Sequence, residues 1–111
     1  MEKINLQEKF SRFNELWTPK IVGELNGQQV KLAKLKGEFV WHDHINEDEL
    51  FMVIKGKLTI QLRTEEICLN EGEIYIVPRG VEHKPIAEEK RVLIVFILIP
   101  HFVLRLVIKY S

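Results

Sequence analysis

The chain has 111 residues, of which 46% are hydrophobic, and its 16 basic and 16 acidic side chains cancel. This length and composition predict one domain with an apolar core. The balanced charge, without a basic stripe or an acidic tail, argues against nucleic acid and against a charge-driven partner. The N-terminus lacks a signal-peptide pattern and the single cysteine cannot form an internal disulfide, so we expect a cytoplasmic protein. Cys68, in an alternating segment, is expected to be a buried, inert thiol.

The first predicted element is an amphipathic helix over residues 4–17, which ends at Thr18-Pro19. The rest of the chain reads as strands, over residues 21–25, 29–35, 39–44, 50–54, 58–62, 67–69, 74–77 and 92–99. Asn26-Gly27 is a hairpin signal because a two-residue turn needs positive φ, and Gly56 marks a second tight turn between two strands. Many short strands separated by turns predict an all-β sandwich or barrel.

The C-terminal segment, residues 100–111, is unusually apolar. Pro100, His101 and Arg105 interrupt it, and a membrane-spanning helix needs ~20 apolar residues, so we predict no membrane span. The tail could add a strand, cover a dimer partner, or be an irregularity of the sequence. We divide the chain into a helix and lead-in (1–19), a barrel (20–99) and this tail. We also expect a homodimer whose interface uses residues 20–35, the tail, or both.

Four residues suggest a metal site: His42, His44, Glu49 and His83. Residues i and i+2 of a strand share a face, so His42 and His44 can reach one point. Glu49 and His83 could converge on that point if the strands curl around it. Imidazole and carboxylate ligands suit Mn, Fe, Zn, Ni or Cu. The alternative is a plain polar strand and acidic loop, since Asp43 and several acidic neighbours surround the histidines.

Two motifs carry a resemblance to the cupin superfamily. In the first, Gly37 precedes His42 and His44, four residues then lead to Glu49, and six more lead to Gly56. In the second, the spacing runs through Gly72, Pro78, Gly80 and His83. The chain departs from the family pattern by one residue fewer before His42 and by Ala87 where Asn is common. Neither departure removes a ligand, and the resemblance covers roughly residues 20–98.

The resemblance implies a jelly-roll barrel, that is, a double-stranded β-helix with a short N-terminal helix. It also implies one divalent metal held by three histidines and one glutamate. Within the superfamily the chain looks like small RmlC-like proteins labelled mannose-6-phosphate isomerase-like, a label that says little about reaction. The aromatic residues expected to line the barrel are Phe39, Trp41, Phe51, Tyr75 and Phe96, although we favour plain core packing for at least three of them.

Three functions stay open at this point. The chain could be a dioxygenase-like or isomerase-like enzyme acting on a small molecule, with its catalytic residues unassigned. It could instead be a non-catalytic sensor or accessory domain that binds a metal or small molecule, or a barrel with vestigial ligands. Glu47, Asp48 and Glu82 are expected to be solvated loop charges, and Asp43 to face away from the metal. His101 is expected to be structural or exposed.

Overall fold

The computed structural model describes residues 2–99 and the backbone of residues 105–106. One short helix, α1 (Leu6–Phe10), precedes the strands. These are β1 (Lys20–Leu25), β2 (Gln28–Glu38), β3 (His42–Asp43), β4 (Glu49–Lys55), β5 (Leu58–Leu62), β6 (Glu66–Leu69), β7 (Ile74–Val77), β8 (His83–Leu98) and β9 (Arg105–Leu106). All paired strands run antiparallel. The predicted all-β double-stranded β-helix with a short N-terminal helix is confirmed.

Strand β8 lies at the centre of the sheet topology. Its first part, residues 83–87, pairs with β3, β5 and the end of β2. Its second part, residues 92–98, pairs with β2 and β4. The four residues between these parts, 88–91, are exposed. β8 therefore takes part in both layers of the barrel, with β1 and β7 extending one layer and β6 the other.

The core lies between the two layers. Alternate residues of a strand face opposite sides, so Ala33 and Leu35 of β2 join the inner cluster while Leu32 joins an outer one. The fully buried inner side chains include Val53, Leu58, Ile60, Val92 and Ile94. Because the outer face of β2 is also covered, its residues 32–35 are buried without a break.

The N-terminal segment provides that cover, but not as the helix predicted over residues 4–17. Only Leu6–Phe10 is helical, with the Asn5 side chain accepting a hydrogen bond from Glu8 N at its start. Phe10 and Phe13 bury against Leu32 and Val95. The buried ammonium of Lys34 donates to Phe13 O, and a longer helix would use that carbonyl itself. Tertiary contacts have overridden the helical periodicity.

Both predicted turns form, but only one makes a hairpin. Asn26 and Gly27 adopt φ of 50° and 79°, and β1 pairs with β2 across them. The turn at Gly56 is tight, but β4 and β5 do not pair with each other; they pair with different parts of β8. The turn at Gly56 therefore carries the chain from one part of β8 to the other.

Several strand boundaries differ from the sequence prediction. The strand expected over residues 39–44 shortens to His42–Asp43, and the last apolar strand begins earlier, at His83. In the tail, β9 pairs with β3, which agrees with the additional-strand explanation for those two residues. His101 and the other tail residues lie outside the described part of the chain.

Candidate metal centre

Three of the four predicted ligands begin strands, and the fourth lies in an adjoining loop. His42 opens β3 with His44 just beyond its end, Glu49 opens β4 and His83 opens β8. The antiparallel register sets His42 opposite His83. All four side chains are buried, with relative exposures of 3%, 4%, 5% and 0% in chain order. The fold thus brings the two separate motifs to one interior point.

Glu49 lies between two of the histidines. Its Oε1 is 3.2 Å from His44 Nε2 and 3.1 Å from His83 Nε2. The rings of His42 and His83 lie 4.1 Å apart, centroid to centroid. One potential ligand atom from each of the four residues lies within 4.8 Å of the others. Three imidazoles and one carboxylate at this spacing are a donor set suited to a divalent transition metal.

Backbone carbonyls fix two of the rings. The Nδ1 atoms of His42 and His83 lie 2.9 Å from Val40 O and Val81 O, respectively. A carbonyl can only accept, so each Nδ1 carries a proton and donates it. In a neutral ring this leaves Nε2 as the atom that can bind a cation, which at His83 would replace the contact that Nε2 makes with Glu49 Oε1. Such contacts orient ligating histidines in metal sites generally.

The charge states also suit a cation. Burial acts to raise the pKa of Glu49, but hydrogen bonds with His44 and His83 outweigh it and hold that pKa at about 2. Burial is the main cause that lowers the pKa of His42 to about 4, and the nearby His83 adds to the effect. Glu49 is therefore ionised and His42 neutral near pH 7, the forms that metal ligation requires.

The prediction for Glu47 was wrong. It was expected to be a solvated loop charge, yet it is buried at 5% exposure. Its Oε1 lies 3.8 Å from His44 Nδ1, on the side of the ring away from Glu49. A carboxylate behind a ligating imidazole orients the ring and raises its basicity. The three-residue spacing from His44 was a signal, but an acidic run made a solvated loop the simpler reading.

Asp48 and Arg79 join the two motif loops. Arg79 N donates to Asp48 Oδ1 at 2.9 Å, and Gly80 N donates to His44 O at 2.7 Å. The hydrogen bond from the Arg79 backbone is the main cause that lowers the pKa of Asp48. Asp48 is exposed, as predicted, but its carboxylate holds the second motif beside the first.

A cavity of about 270 Å³ opens onto the metal-ligand cluster. Three predicted pocket residues line it, Phe39, Phe51 and Phe96. The other lining residues are Trp17, Pro19, Lys31, Ala33, Leu35, His42, His44, Glu49, Pro85, Ile94, Leu98 and Ile99. Trp17 stacks on Phe39 at 5.2 Å between ring centroids, and Phe39 meets the His42 ring edge-on at 5.2 Å. The N-terminal segment thereby supplies part of the cavity wall, which periodicity could not reveal.

The other two predicted pocket residues lie elsewhere. Trp41 has the Arg63 guanidinium over its ring, 3.6 Å from the centroid. Tyr75 packs against the inner core cluster and is not among the residues that line the cavity. Trp41 precedes β3 and Tyr75 lies on β7 opposite Phe51; aromatic character alone did not separate them from the three lining phenylalanines.

Three further expectations have mixed outcomes. Cys68, expected to be buried, is exposed on β6. Glu82 is half-buried and accepts from Arg63 Nη2 at 2.9 Å, so it is not a solvated charge. Asp43 lies outside the four-residue ligand group but is itself 1% exposed.

No helix in the described residues is long and apolar enough to cross a membrane.

The fold and the buried His-His-Glu-His group define the class of a double-stranded β-helix with a possible metal centre. The family model for the cupin domain matches residues 28–99. The chain belongs to the cupin family.

Relatives support this assignment. A cupin-2 domain containing protein from Shewanella frigidimarina NCIMB 400 is 47% identical, with 87% of this chain and 94% of that chain covered and a TM-score of 0.85. Protein YdbB of Bacillus subtilis (strain 168) is 32% identical over 71% of this chain. The match spans 65% of that curated relative's length. Hydroquinone 1,2-dioxygenase PnpCD, whose structure contains Cd²⁺ and 4-hydroxybenzonitrile, shares the fold at 16% identity and a TM-score of 0.70, over 86% of this chain and 71% of that one.

Proposed function

We propose that this cupin holds one divalent transition metal through His42, His44, Glu49 and His83 and binds or transforms a small molecule there. The convergence of the four buried donors within 4.8 Å of one another carries the proposal. The adjoining cavity supports it, because it has room for a small organic molecule beside His42, His44 and Glu49. Mn, Fe, Zn, Ni and Cu all suit this donor set.

The residues around the centre have separable roles in this proposal. His42 and His83 present Nε2 because their Nδ1 protons are held by backbone carbonyls. Glu49 brings the negative charge that offsets part of the cation's charge. A bound divalent metal would supply a Lewis acid, and Fe, Mn or Cu would also permit redox chemistry. The apolar walls exclude water from the reacting end of a ligand.

Metal analysis of protein purified without chelator tests the proposal. We expect about one metal ion per chain in the wild type and loss of most of the affinity in His83→Ala, since His83 alone brings the second motif to the site. Chelator should lower the melting temperature without unfolding the barrel, because the core remains. Free metal at a hundredfold excess over its dissociation constant stabilises a fold by roughly 2.7 kcal/mol.

His101→Ala is the matched control, and it should keep both the metal content and the melting shift. Full metal content in the His83→Ala protein, with an unchanged shift on adding chelator, would show that the ligand assignment is wrong.

The second candidate function is a non-catalytic sensor or accessory domain. The cavity lining favours it, because the only titratable described residue there besides His42, His44 and Glu49 is Lys31. A general acid or base separate from the ligands would have to be Lys31 or lie outside the described residues. Oxygen consumption or product formation by the metal-loaded protein with candidate substrates would favour an enzyme instead.

An exposed free thiol at Cys68 is compatible with a reducing compartment, which supports a cytoplasmic location.

We also propose a homodimer. In the described chain β1 pairs with β2 alone, and its Ile21 and Leu25 side chains are more than half exposed, at 57% and 53%. An edge strand with exposed apolar side chains is a ready interface for a second copy. Light scattering at micromolar concentration should give twice the chain mass of 13.1 kDa. A monomeric mass would contradict the proposal, and Ile21→Lys should shift a dimer toward monomer.

A further inference from the structure

We propose that the ligand of this cavity is a small organic monoanion, a carboxylate on an apolar body, whose charge is held by Lys31 while its other end faces the metal centre. This inference rests on the proposed function for the position of the ligand's far end. It goes further by naming the chemical class of the ligand and the residue that selects it.

Lys31 is the cation of the cavity wall. Residues 31, 33 and 35 alternate along β2, and all three line the cavity. Ala33 and Leu35 are apolar, so a charged side chain interrupts an apolar face at Lys31. Its Nζ lies 5.8 Å from the centre of the Phe96 ring. Among residues 2–99 the ammonium has this ring as its contact and no carboxylate within ion-pair distance.

The other cations near the second motif are already paired. Lys84 Nζ lies 2.7 Å from Glu38 Oε1, and Arg79 Nε lies 3.4 Å from Asp48 Oδ1. Neither residue lines the cavity. Apart from a bound metal, the cationic side chain that lines the cavity in the described part of the chain is therefore Lys31. One such side chain matches one anionic group rather than a multiply charged phosphate ester.

Aromatic rings line the cavity wall between the lysine and the metal centre. The Phe96 ring lies 6.4 Å from the Phe51 ring, and Phe51 lies 6.0 Å from the His83 ring, centroid to centroid. Polar lining groups thus stand at both ends, Lys31 at one and the histidines with Glu49 at the other. A ligand that complements the lysine and the aromatic wall has an anionic end and an apolar middle.

The competing explanation is that Lys31 only lays its methylene stem along the apolar wall and keeps its ammonium in water. In that case the lysine would not distinguish an anion from a neutral molecule of the same shape. Comparing each anion with its neutral amide therefore separates the two explanations.

Calorimetric titration of the full chain with benzoate, phenylacetate and hexanoate, each paired with its neutral amide, tests the inference. Both metal-loaded and metal-free protein are titrated, and tryptophan fluorescence gives a second readout because Trp17, one of the two tryptophans, lines the cavity. We expect at least one anion to bind about tenfold more tightly than its amide, as one charge-assisted hydrogen bond provides. Acetate, which lacks the apolar body, should bind more weakly than that anion.

Variants assign the preference to Lys31. Lys31→Met should abolish it, Lys31→Arg should keep it, and Lys55→Met, which removes an exposed charge on β4, should leave it unchanged. Retention of the preference in Lys31→Met, or no preference for any anion in the wild type, would overturn the inference. So would a preference that depends wholly on metal, since the carboxylate would then sit on the metal.

The two proposals fail separately. A chain that binds no metal overturns the proposed function, while the anion preference is still measured in the metal-free protein. A chain that binds metal at the four ligands but shows no preference at Lys31 overturns only this inference.

Discussion

At the scale of single residues, the geometry of the site depends on the groups that lie near the Nδ1 atom of each histidine. The rings of His42 and His83 are set by Val40 O and Val81 O, and backbone atoms hold these orientations whatever the side chains at positions 40 and 81. His44 differs, because its Nδ1 lies 3.8 Å from a side-chain atom, Glu47 Oε1. Replacing Glu47 therefore tests whether this side chain helps to orient the third imidazole.

We predict that Glu47→Gln weakens metal binding roughly 10- to 100-fold, the usual cost of losing a carboxylate behind a metal-bound histidine. The amide keeps the volume of the buried side chain but removes its charge. Competition with a chelator of known affinity measures the change. Glu65→Gln, at an exposed position, is the control. Equal affinity in Glu47→Gln and wild type would mean that Glu47 has no part in orienting His44.

The buried group of His42, His44, Glu49 and His83 was predictable because the order and spacing of these residues are local features of the sequence. Glu47 and Cys68 were not, since burial depends on which loop folds inward and which strand face is covered. The acidic run around Glu47 suggested solvation, and the alternation around Cys68 suggested an inner face. Likewise Phe39, Trp41 and Tyr75 share aromatic character, and only the register and the N-terminal segment decide that Phe39 alone of these three lines the cavity.

At the scale of elements, the turns carry much of the fold's specificity. Gly56 has φ of 94°, and a Cβ there would lie 3.2 Å from both Arg91 O and Val92 Cγ2. Gly72 has φ of 83°, but a Cβ there would meet nothing within 4 Å. The two positions share the backbone strain that a side chain brings and differ only in steric contact with β8.

We predict that Gly56→Ala destabilises the protein by more than Gly72→Ala does. The backbone conformation alone should cost about 1 kcal/mol at either position, and the contacts with Arg91 and Val92 add to this at Gly56. Urea denaturation of both variants measures the difference in the free energy of unfolding. Equal losses would indicate that β8 shifts to accommodate the new methyl group.

The elements that the sequence predicted best are those with a local signal. Asn26-Gly27 fixed the first hairpin, and the apolar run ending at Ile99 marked the last long strand. The predicted helix over residues 4–17 was too long. Phe13 packs against Leu32 and Val95 and Trp17 lines the cavity, so neither lies on a continuing helix. Trp17 N donates to Lys34 O at 2.9 Å, a contact between segments that no local pattern encodes.

At the scale of the whole molecule, acid should weaken the metal-free fold. The folded-state pKa of His42, about 4, lies below the unfolded value of ~6.5. The unfolded chain then binds more protons between these values, so the free energy of unfolding decreases as pH falls from about 6.5 to about 4. Glu49, with a folded pKa of about 2, adds a loss at lower pH in the same direction.

We predict this decline in urea titrations of metal-free protein at several pH values, and a flatter profile between about pH 6.5 and 4 in His42→Gln. Metal-loaded protein should lose metal below about pH 6, because protons compete for the imidazoles. A metal-free stability that stays constant from pH 7 to 4 would contradict the assigned proton states.

The central position of β8 has a consequence for how the protein forms. Glu49 and His83 lie 34 positions apart, and His83 reaches the centre only when β8 has paired with strands from across the chain. Folds dominated by such distant pairings form slowly, commonly in milliseconds to seconds. A chain still being synthesised can expose His42, His44 and Glu49 long before His83 emerges. In the proposed function, tight capture of metal by the four residues would therefore be a late event in folding, and the rate at which metal becomes resistant to chelator should report completion of the barrel.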